Sequence, residues 1–307
     1  MLCIQPIDLY IKSQKRNIKV PCGRCICCKQ TRSRSLSWAC QTFFYELSKN
    51  NIPSSFATLT YSEENVPTFG RNKKYTLRKR DFQLFLKRVR KYISKHNPNA
   101  KFKYLASGEY GSTSALPRPH YHVIFFGLDA SYVRLLCNRF WSVSDFGLSD
   151  VKPASSGAIG YVIKYCQKTN NNLKDLYDSE GVERPFLLHS INIERYYMER
   201  NLQRIQDNNF SDNFFGKNFP IPSYFRKKYD VFKNFDPSSF LSESTVKAKL
   251  AGFSSLYDYD LHQSGILARQ LISKATRSGD PIDRPDLPFV SEKLKGLAED
   301  ALDEIPF

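Results

Sequence analysis

Two of the five histidines in this chain stand one residue apart, in Pro117-Arg118-Pro119-His120-Tyr121-His122, directly before the apolar run Val123-Ile124-Phe125-Phe126-Gly127. On an extended backbone His120 and His122 leave the same face and Tyr121 the other, so the spacing offers a pair of metal ligands at the mouth of a strand. By itself an H-x-H pair is a weak signal, since most such pairs are satisfied core or surface histidines. The prolines fix the backbone on the way in, and the run that follows anchors the strand in a core.

A second set of reactive types lies some forty residues on. In Gly157 to Thr169 the apolar residues Ile159, Val162, Ile163 and Cys166 recur at i, i+3, i+4 and i+7, which predicts a helix with one packing face. Tyr161, Lys164, Tyr165 and Lys168 fall opposite. A phenol is a poor nucleophile at neutral pH, but it becomes useful where a metal polarises phosphorus and a nearby cation stabilises phenolate. Lys164 and Lys168 each follow a tyrosine by three residues, and tyrosines at i and i+4 reach one point in turn. Read alone, the same residues are a pair of exposed aromatics on a surface helix.

The third set is Cys22-Gly-Arg-Cys25-Ile-Cys27-Cys28. Repeated C-x2-C spacing lets thiolates converge on one tetrahedral ion, so Cys22, Cys25 and Cys28 are three ligands of a structural zinc site. Cys3 and Cys40 are candidates for the fourth; Cys3 is preferred because Cys40 falls inside a predicted helix. A reduced cysteine-rich turn or a redox cluster has the same composition.

The elements that must position these residues follow from patterning. Leu36, Cys40, Phe43 and Leu47 mark a helix over Lys29 to Asn50, and Phe82, Leu86, Val89 and Ile93 one over Lys79 to His96 that stops at Asn97-Pro98. Phe56 to Tyr61 alternates as a strand, and Lys101 to Ser107 predicts another, followed by a turn signal at Gly108-Glu109-Tyr110-Gly111. Paired as a hairpin, the second strand and the histidine strand would bring Glu109 near the imidazoles. Ser131 to Trp141 reads as a helix, Leu148 to Pro153 as a short strand, Ser155 or Ser156 as a helix cap, and Ile191 to Arg204 as helical. The aromatic and basic segment Pro220 to Tyr229 suits base stacking and phosphate contact, and equally a buried aromatic loop. No internal repeat is present.

Composition bounds the partners. The chain has 307 residues and a formal charge of +16. Residues from Val231 on hold nine Lys and Arg against twelve Asp and Glu, a net of −3, which leaves +19 upstream. That balance points to nucleic acid, with an anionic membrane second, because neutralising phosphates gains affinity through counterion release. No apolar run of transmembrane length and no signal peptide are expected, which implies a cytoplasmic protein. Eight clustered cysteines suit metal in a reducing compartment better than a disulfide scaffold.

Taken together, Val20-Pro-Cys22-Gly-Arg-Cys25, Thr58-Leu-Thr-Tyr61, Lys79-Arg-Asp-Phe-Gln83, Gly108-Glu-Tyr-Gly111, Arg118-Pro-His-Tyr-His122 and Tyr161-Val-Ile-Lys-Tyr-Cys166 resemble the HUH endonucleases. Within them the pattern is similar to the two-tyrosine rolling-circle initiators of small single-stranded DNA phages, the gokushovirus branch of the Microviridae. The resemblance covers roughly residues 1 to 230. It implies an α+β fold in which an antiparallel sheet carries His120 and His122 on a central strand, with the tyrosine helix across the sheet edge and a small Cys-rich element in front. It further implies Mg²⁺ or Mn²⁺ held by His120, His122 and a third ligand, for which Glu109 is chosen, and attack by Tyr161 and Tyr165 on origin DNA, single-stranded and replicative double-stranded, in the host cell cytoplasm. Host helicase and polymerase would be further partners.

The expected organisation is a Cys-rich element and basic helix over 1–50, a nickase domain over 51–230, and an acidic C-terminal region over 231–307. Arg80, Arg118, Lys168, Arg226, Lys227 and Lys228 are the expected DNA contacts. Two rival readings use the same residues: a non-catalytic zinc-knuckle nucleic-acid-binding protein, and a metal-dependent hydrolase that uses water.

Overall fold

Alternation along the strands decides the architecture, because each strand of the main sheet sends apolar side chains to both faces and both faces are covered. The computed structural model describes residues 3–71, 73–111, 118–142, 146–165, 182–207, 211–214, 217–229 and 245–277, with Lys164 and Tyr165 described as backbone only. In chain order the elements are β1 (Ile7–Ile11), β2 (Arg16–Val20), α1 (Ile26–Lys49), β3 (Ser54–Tyr61), β4 (Thr68–Phe69), β5 (Lys74–Tyr75), α2 (Lys79–His96), β6 (Lys103–Tyr110) and β7 (Pro119–Phe126). There follow α3 (Ala130–Phe140), β8 (Gly147–Pro153), α4 (Ser156–Tyr165), β9 (Phe186–His189), α5 (Arg195–Asp207), β10 (Ser211–Phe214), β11 (Lys217–Pro220), α6 (Ser223–Lys228) and α7 (Leu256–Arg277). The chain divides into two compact units, Ser35–Val231 and the pair Met1–Arg34 with Phe232–Phe307.

In the unit Ser35–Val231 five antiparallel strands are ordered β8-β3-β7-β6-β9, so the histidine strand is central, and the class is the α+β expected. One face buries Leu59, Tyr61, Ala106, Tyr121, Val123 and Phe125 beneath Phe82, Phe85, Leu86 and Val89 of α2 and Val133, Leu136 and Cys137 of α3. The other buries Phe56, Leu105, Ile124 and Phe126 beneath Cys40, Phe43 and Leu47 of α1 and Ile159, Val162 and Ile163 of α4. The tyrosine helix therefore lies over a face of the sheet, against β6 and β7, and not across its edge. Its three-residue apolar stripe dictates this, since only a face offers enough apolar surface to cover it. The Gln41 side-chain amide donates to Ser156 O at 2.8 Å, tying α4 to α1 at its start.

The turn expected at Gly108 to Gly111 is also corrected. Gly108, Glu109 and Tyr110 are strand, paired with Tyr121, His120 and Pro119. Gly108 serves a close approach instead, because a Cβ there would stand 2.7 Å from the Phe186 ring.

In the Pro220 to Tyr229 segment Phe225 is buried against Trp38, with ring centroids 5.0 Å apart, while Tyr224 is exposed. The buried-loop reading holds for the first ring and not the second. Among the described residues no helix is long and apolar enough to cross a membrane.

Gly147 opens β8 where it meets β3: a Cβ would fall 2.0 Å from Thr60 O and 2.4 Å from Ser62 N, both backbone atoms. Gly147→Ala should therefore force the two strands apart and cost about 1–3 kcal/mol. An unchanged urea midpoint would show that the strands tolerate the group.

Candidate active site

The register of two hairpin strands assembles the first cluster. Glu109 stands directly opposite His120 and Ser107 opposite His122, while Thr58 pairs with His122 from β3. Period-two alternation puts Glu109, Ser107, His120, His122 and Thr58 on the face that α4 covers, at the point where the helical cover ends. Glu109 Oε1 lies 3.0 Å from His120 Nε2 and 2.7 Å from His122 Nε2. Glu109 and His122 are buried, His120 is half-buried, and Tyr161 at the rim is 39% exposed.

Each imidazole is oriented through its other nitrogen. His120 Nδ1 donates to Arg118 O at 3.1 Å. A carbonyl can only accept, so Nδ1 carries the proton and Nε2 of the neutral ring is a bare lone pair aimed at a carboxylate oxygen. Such a contact needs a cation between the two groups, or a second proton on the ring. His122 Nδ1 lies 3.1 Å from Thr58 Oγ1, which can accept its proton and leave Nε2 facing Glu109. Burial pushes the Glu109 carboxyl up, but the two histidines together outweigh it and hold the group below the ordinary carboxylate range.

The donor set fits a divalent ion. Three ligand atoms lie within 4.8 Å of one another. Neighbouring ligands of an octahedral ion at about 2.1 Å stand about 3.0 Å apart, close to the two separations found. Three protein ligands leave positions open to a substrate oxygen. The carboxylate and imidazoles suit Mn²⁺ and, through the carboxylate above all, Mg²⁺.

Tyr161 completes the arrangement. Its hydroxyl lies 3.4 Å from His122 Nε2, and its ring meets the imidazole edge-on with centroids 5.1 Å apart. On the far side Phe56 stacks on His122 at 5.5 Å and 17°. A phenol oxygen thus stands beside the atom that would hold the ion. Phe56, Thr58 and Ser107 were not singled out from sequence. The signal for the first two was the alternation of β3, which places them on the histidine face once the pairing is known. The Ser107 hydroxyl is buried and has no hydrogen-bond partner among the described residues.

Other expected site residues are placed less directly. The side chains of Lys164 and Tyr165, and all of Lys168, lie outside the described residues, though Lys164 and Tyr165 continue the backbone of α4. Arg118 pairs with Glu63 at 3.0 Å. Arg80 and Lys227 are exposed, and Arg226 is half-buried. Lys228 is engaged within its own unit, at 2.5 Å from Glu194 and 2.8 Å from Asn192.

The second cluster belongs to the unit holding the N-terminus. The thiols of Cys3, Cys22, Cys25 and Cys28 lie within 4.8 Å of one another. Cys3 Sγ is 3.5 Å from Cys22 Sγ and 3.7 Å from Cys25 Sγ, and Cys22 Sγ is 4.0 Å from Cys28 Sγ. Sulfurs of a tetrahedral zinc at about 2.3 Å stand roughly 3.8 Å apart, so the four thiols could hold such an ion. Cys3 joins the cluster, whereas Cys40 is buried in the core where α1 packs on the sheet. Burial pushes the Cys22 thiol up, but the backbone N–H groups of Cys25 and Arg24, at 3.3 and 3.4 Å, outweigh it and bring the group to about 7. Cys27 turns away and donates to Ser264 O at 3.7 Å; burial pushes its thiol up to about 11.

Comparison with known proteins agrees with this placement. The chain is similar to Replication-associated protein ORF2 of Spiroplasma virus 4, with 26% identity over 238 residues that cover 70% of this chain and 68% of that protein. It is also similar to Replication-associated protein ORF4 of Chlamydia phage 1, with 30% identity over 177 residues that cover 53% of this chain and 41% of that protein. A family model matches residues 54–170, the stretch that runs from β3 past the tyrosine helix and includes Glu109, His120, His122 and Tyr161. Residues 54–170 of this chain thus belong to the family of the replication-associated protein ORF2.

Proposed function

We propose that the chain initiates replication of circular phage DNA by nicking one strand of the origin and later rejoining it. The observation that carries this reading is the Tyr161 hydroxyl 3.4 Å from His122 Nε2, beside a Glu-His-His set with open positions. Bound by Glu109, His120 and His122, Mg²⁺ or Mn²⁺ would polarise a phosphate oxygen and make phosphorus more electrophilic.

The Tyr161 oxygen attacks phosphorus as its proton passes to solvent, to which the residue is partly open. The new Tyr–O–P bond forms as the P–O3′ bond breaks, and the departing oxygen takes a proton. The products are a 5′-phosphotyrosyl link and a free 3′-OH for host polymerase to extend. Lys164, three residues on, supplies positive charge for the phenolate. Tyr165, one helical turn from Tyr161, cleaves the regenerated origin, and the new 3′-OH attacks the first phosphotyrosine to release a circle. One ester replaces another at every step, so no ATP is consumed.

In this reading the chemistry resides in 51–230. Arg80, Arg118, Lys168, Arg226 and Lys227 supply phosphate contacts, and Cys3, Cys22, Cys25 and Cys28 hold a structural Zn²⁺. The chain works in the host cytoplasm alongside host helicase. A water-using hydrolase leaves the position of Tyr161 unexplained, and a purely binding protein leaves the Glu-His-His set so.

Incubation with labelled single-stranded origin DNA and Mn²⁺ should yield a denaturant-resistant protein–DNA adduct. Tyr161→Phe with Tyr165→Phe should abolish it, and His120→Ala should abolish nicking while DNA binding persists. An adduct that survives loss of both tyrosines overturns the mechanism.

Thr58→Val keeps the shape of the side chain but removes the acceptor for His122 Nδ1. It should weaken Mn²⁺ binding by roughly 10–100-fold, measured calorimetrically; unchanged affinity would mean that Thr58 does not orient the ring. Cys22→Ser should lower the zinc content of the purified protein from one equivalent toward none. Retention of the full equivalent would remove Cys22 from the ligand set.

A further inference from the structure

β1 and β2 form a two-stranded antiparallel ribbon with Ile7 opposite Val20, Leu9 opposite Ile18 and Tyr10 opposite Asn17. Both faces are largely exposed, and its strands pair with no other described strand. Cys3 precedes the ribbon and Cys22 follows it, and the Cys22 N–H points to Cys3 Sγ at 3.2 Å. The four-thiol cluster therefore clamps the base while the tip projects.

The tip is basic. Lys12, Lys15 and Arg16 surround the turn, all exposed, and Lys15 takes a left-handed conformation at φ 47°. Arg16 Nε donates to Gln14 Oε1 at 2.8 Å, which holds the guanidinium over the turn. Residues 1–34 contain eight Lys and Arg against Asp8 alone, close to half the formal charge of the whole chain. The ribbon's two faces differ: Ile7, Leu9, Ile18 and Val20 line one, and Asp8, Tyr10, Asn17 and Lys19 the other.

We infer that this ribbon is a duplex-DNA docking element, with Lys12, Lys15 and Arg16 on phosphates and the Tyr10-Asn17-Lys19 face turned into the major groove. Strands about 4.8 Å apart make a ribbon that enters a groove about 12 Å wide. Amide and ammonium groups on that face are donors suited to purine edges. Charge favours DNA over a protein partner, because a tip with three cations and no acid matches a phosphate backbone. The inference rests on the reading that the chain acts on origin DNA, but not on its tyrosine chemistry.

The test measures binding of the full-length, zinc-loaded protein to a fluorescent random-sequence duplex of about 30 base pairs across a salt series. Replacing Lys12, Lys15 and Arg16 together by Ala should lower the salt slope by between about 2 and 3 and weaken binding by roughly a hundredfold at 0.1 M salt. The charge-conserving variant, Lys12→Arg, Lys15→Arg and Arg16→Lys, should restore both. Adduct formation on single-stranded DNA should be unchanged in either variant, so a wild type that forms no adduct fails the nicking reading and leaves this one standing. An unchanged slope in the alanine variant overturns the proposal. So does a finding that only Ile7→Ser with Leu9→Ser has an effect, on self-association in sedimentation, which would assign the ribbon to a second copy.

Discussion

Everything at the candidate centre depends on one antiparallel register. Glu109 opposite His120 and Ser107 opposite His122 follow from the β6–β7 pairing, and a slip by one residue would send the carboxylate to the other face. Burial on both sides makes that slip costly, because Val123 and Phe125 on one face and Ile124 and Phe126 on the other are all buried. The apolar run after the histidines therefore sets the geometry of the ligands before it. The hydrogen bonds from the Nδ1 side then fix which nitrogen faces inward, so the convergence on one carboxylate oxygen is preorganised.

The residue between the histidines has a separate structural role. Tyr121 is buried, donates to Arg78 O at 2.9 Å and accepts from Arg78 N at 3.2 Å, at the residue that starts α2. Its hydroxyl lies 2.6 Å from that of Tyr61, which donates to Asp81 in the first turn of the same helix. Burial pushes both phenols up, so neither is poised to act as a nucleophile. One strand thus holds a helix on one face and presents ligands on the other, and the phenols divide accordingly: Tyr121 and Tyr61 join the core, whereas Tyr161 stands at the rim.

What was legible in sequence was whatever depended on local periodicity. The helix over Lys79 to His96 was readable to the residue because a strong apolar stripe coincides with a stop at Asn97-Pro98. The histidine strand was readable from its run of β-formers, and Cys3 could be preferred over Cys40 because helical spacing had already claimed the latter. Partnerships between distant segments were not legible. Gly108 read as a turn because its reason for being glycine is the Phe186 ring, which arrives from a strand nearly eighty residues later. Thr58 and Phe56 looked like ordinary strand residues until the register put them around His122. The helix position was misjudged for the same reason: its stripe shows that it packs, not which surface receives it.

The two candidate ion sites differ in ways that separate their roles. Four thiols close a tetrahedral shell and leave nothing for substrate, and they tie Cys3 and Cys22 across the base of a ribbon, which is what a structural ion does for a segment with little core. Two imidazoles and a carboxylate form an incomplete shell of harder donors, next to a phenol and open on one side. Soft thiolates select Zn²⁺ and oxygen-bearing sites accept Mg²⁺ or Mn²⁺, so each site can be filled in the presence of the other's metal. Such sorting matters to a strand-transferring enzyme. A closed, tightly held ion lends shape without chemistry, and the open one can exchange oxygen ligands as one phosphate ester gives way to the next.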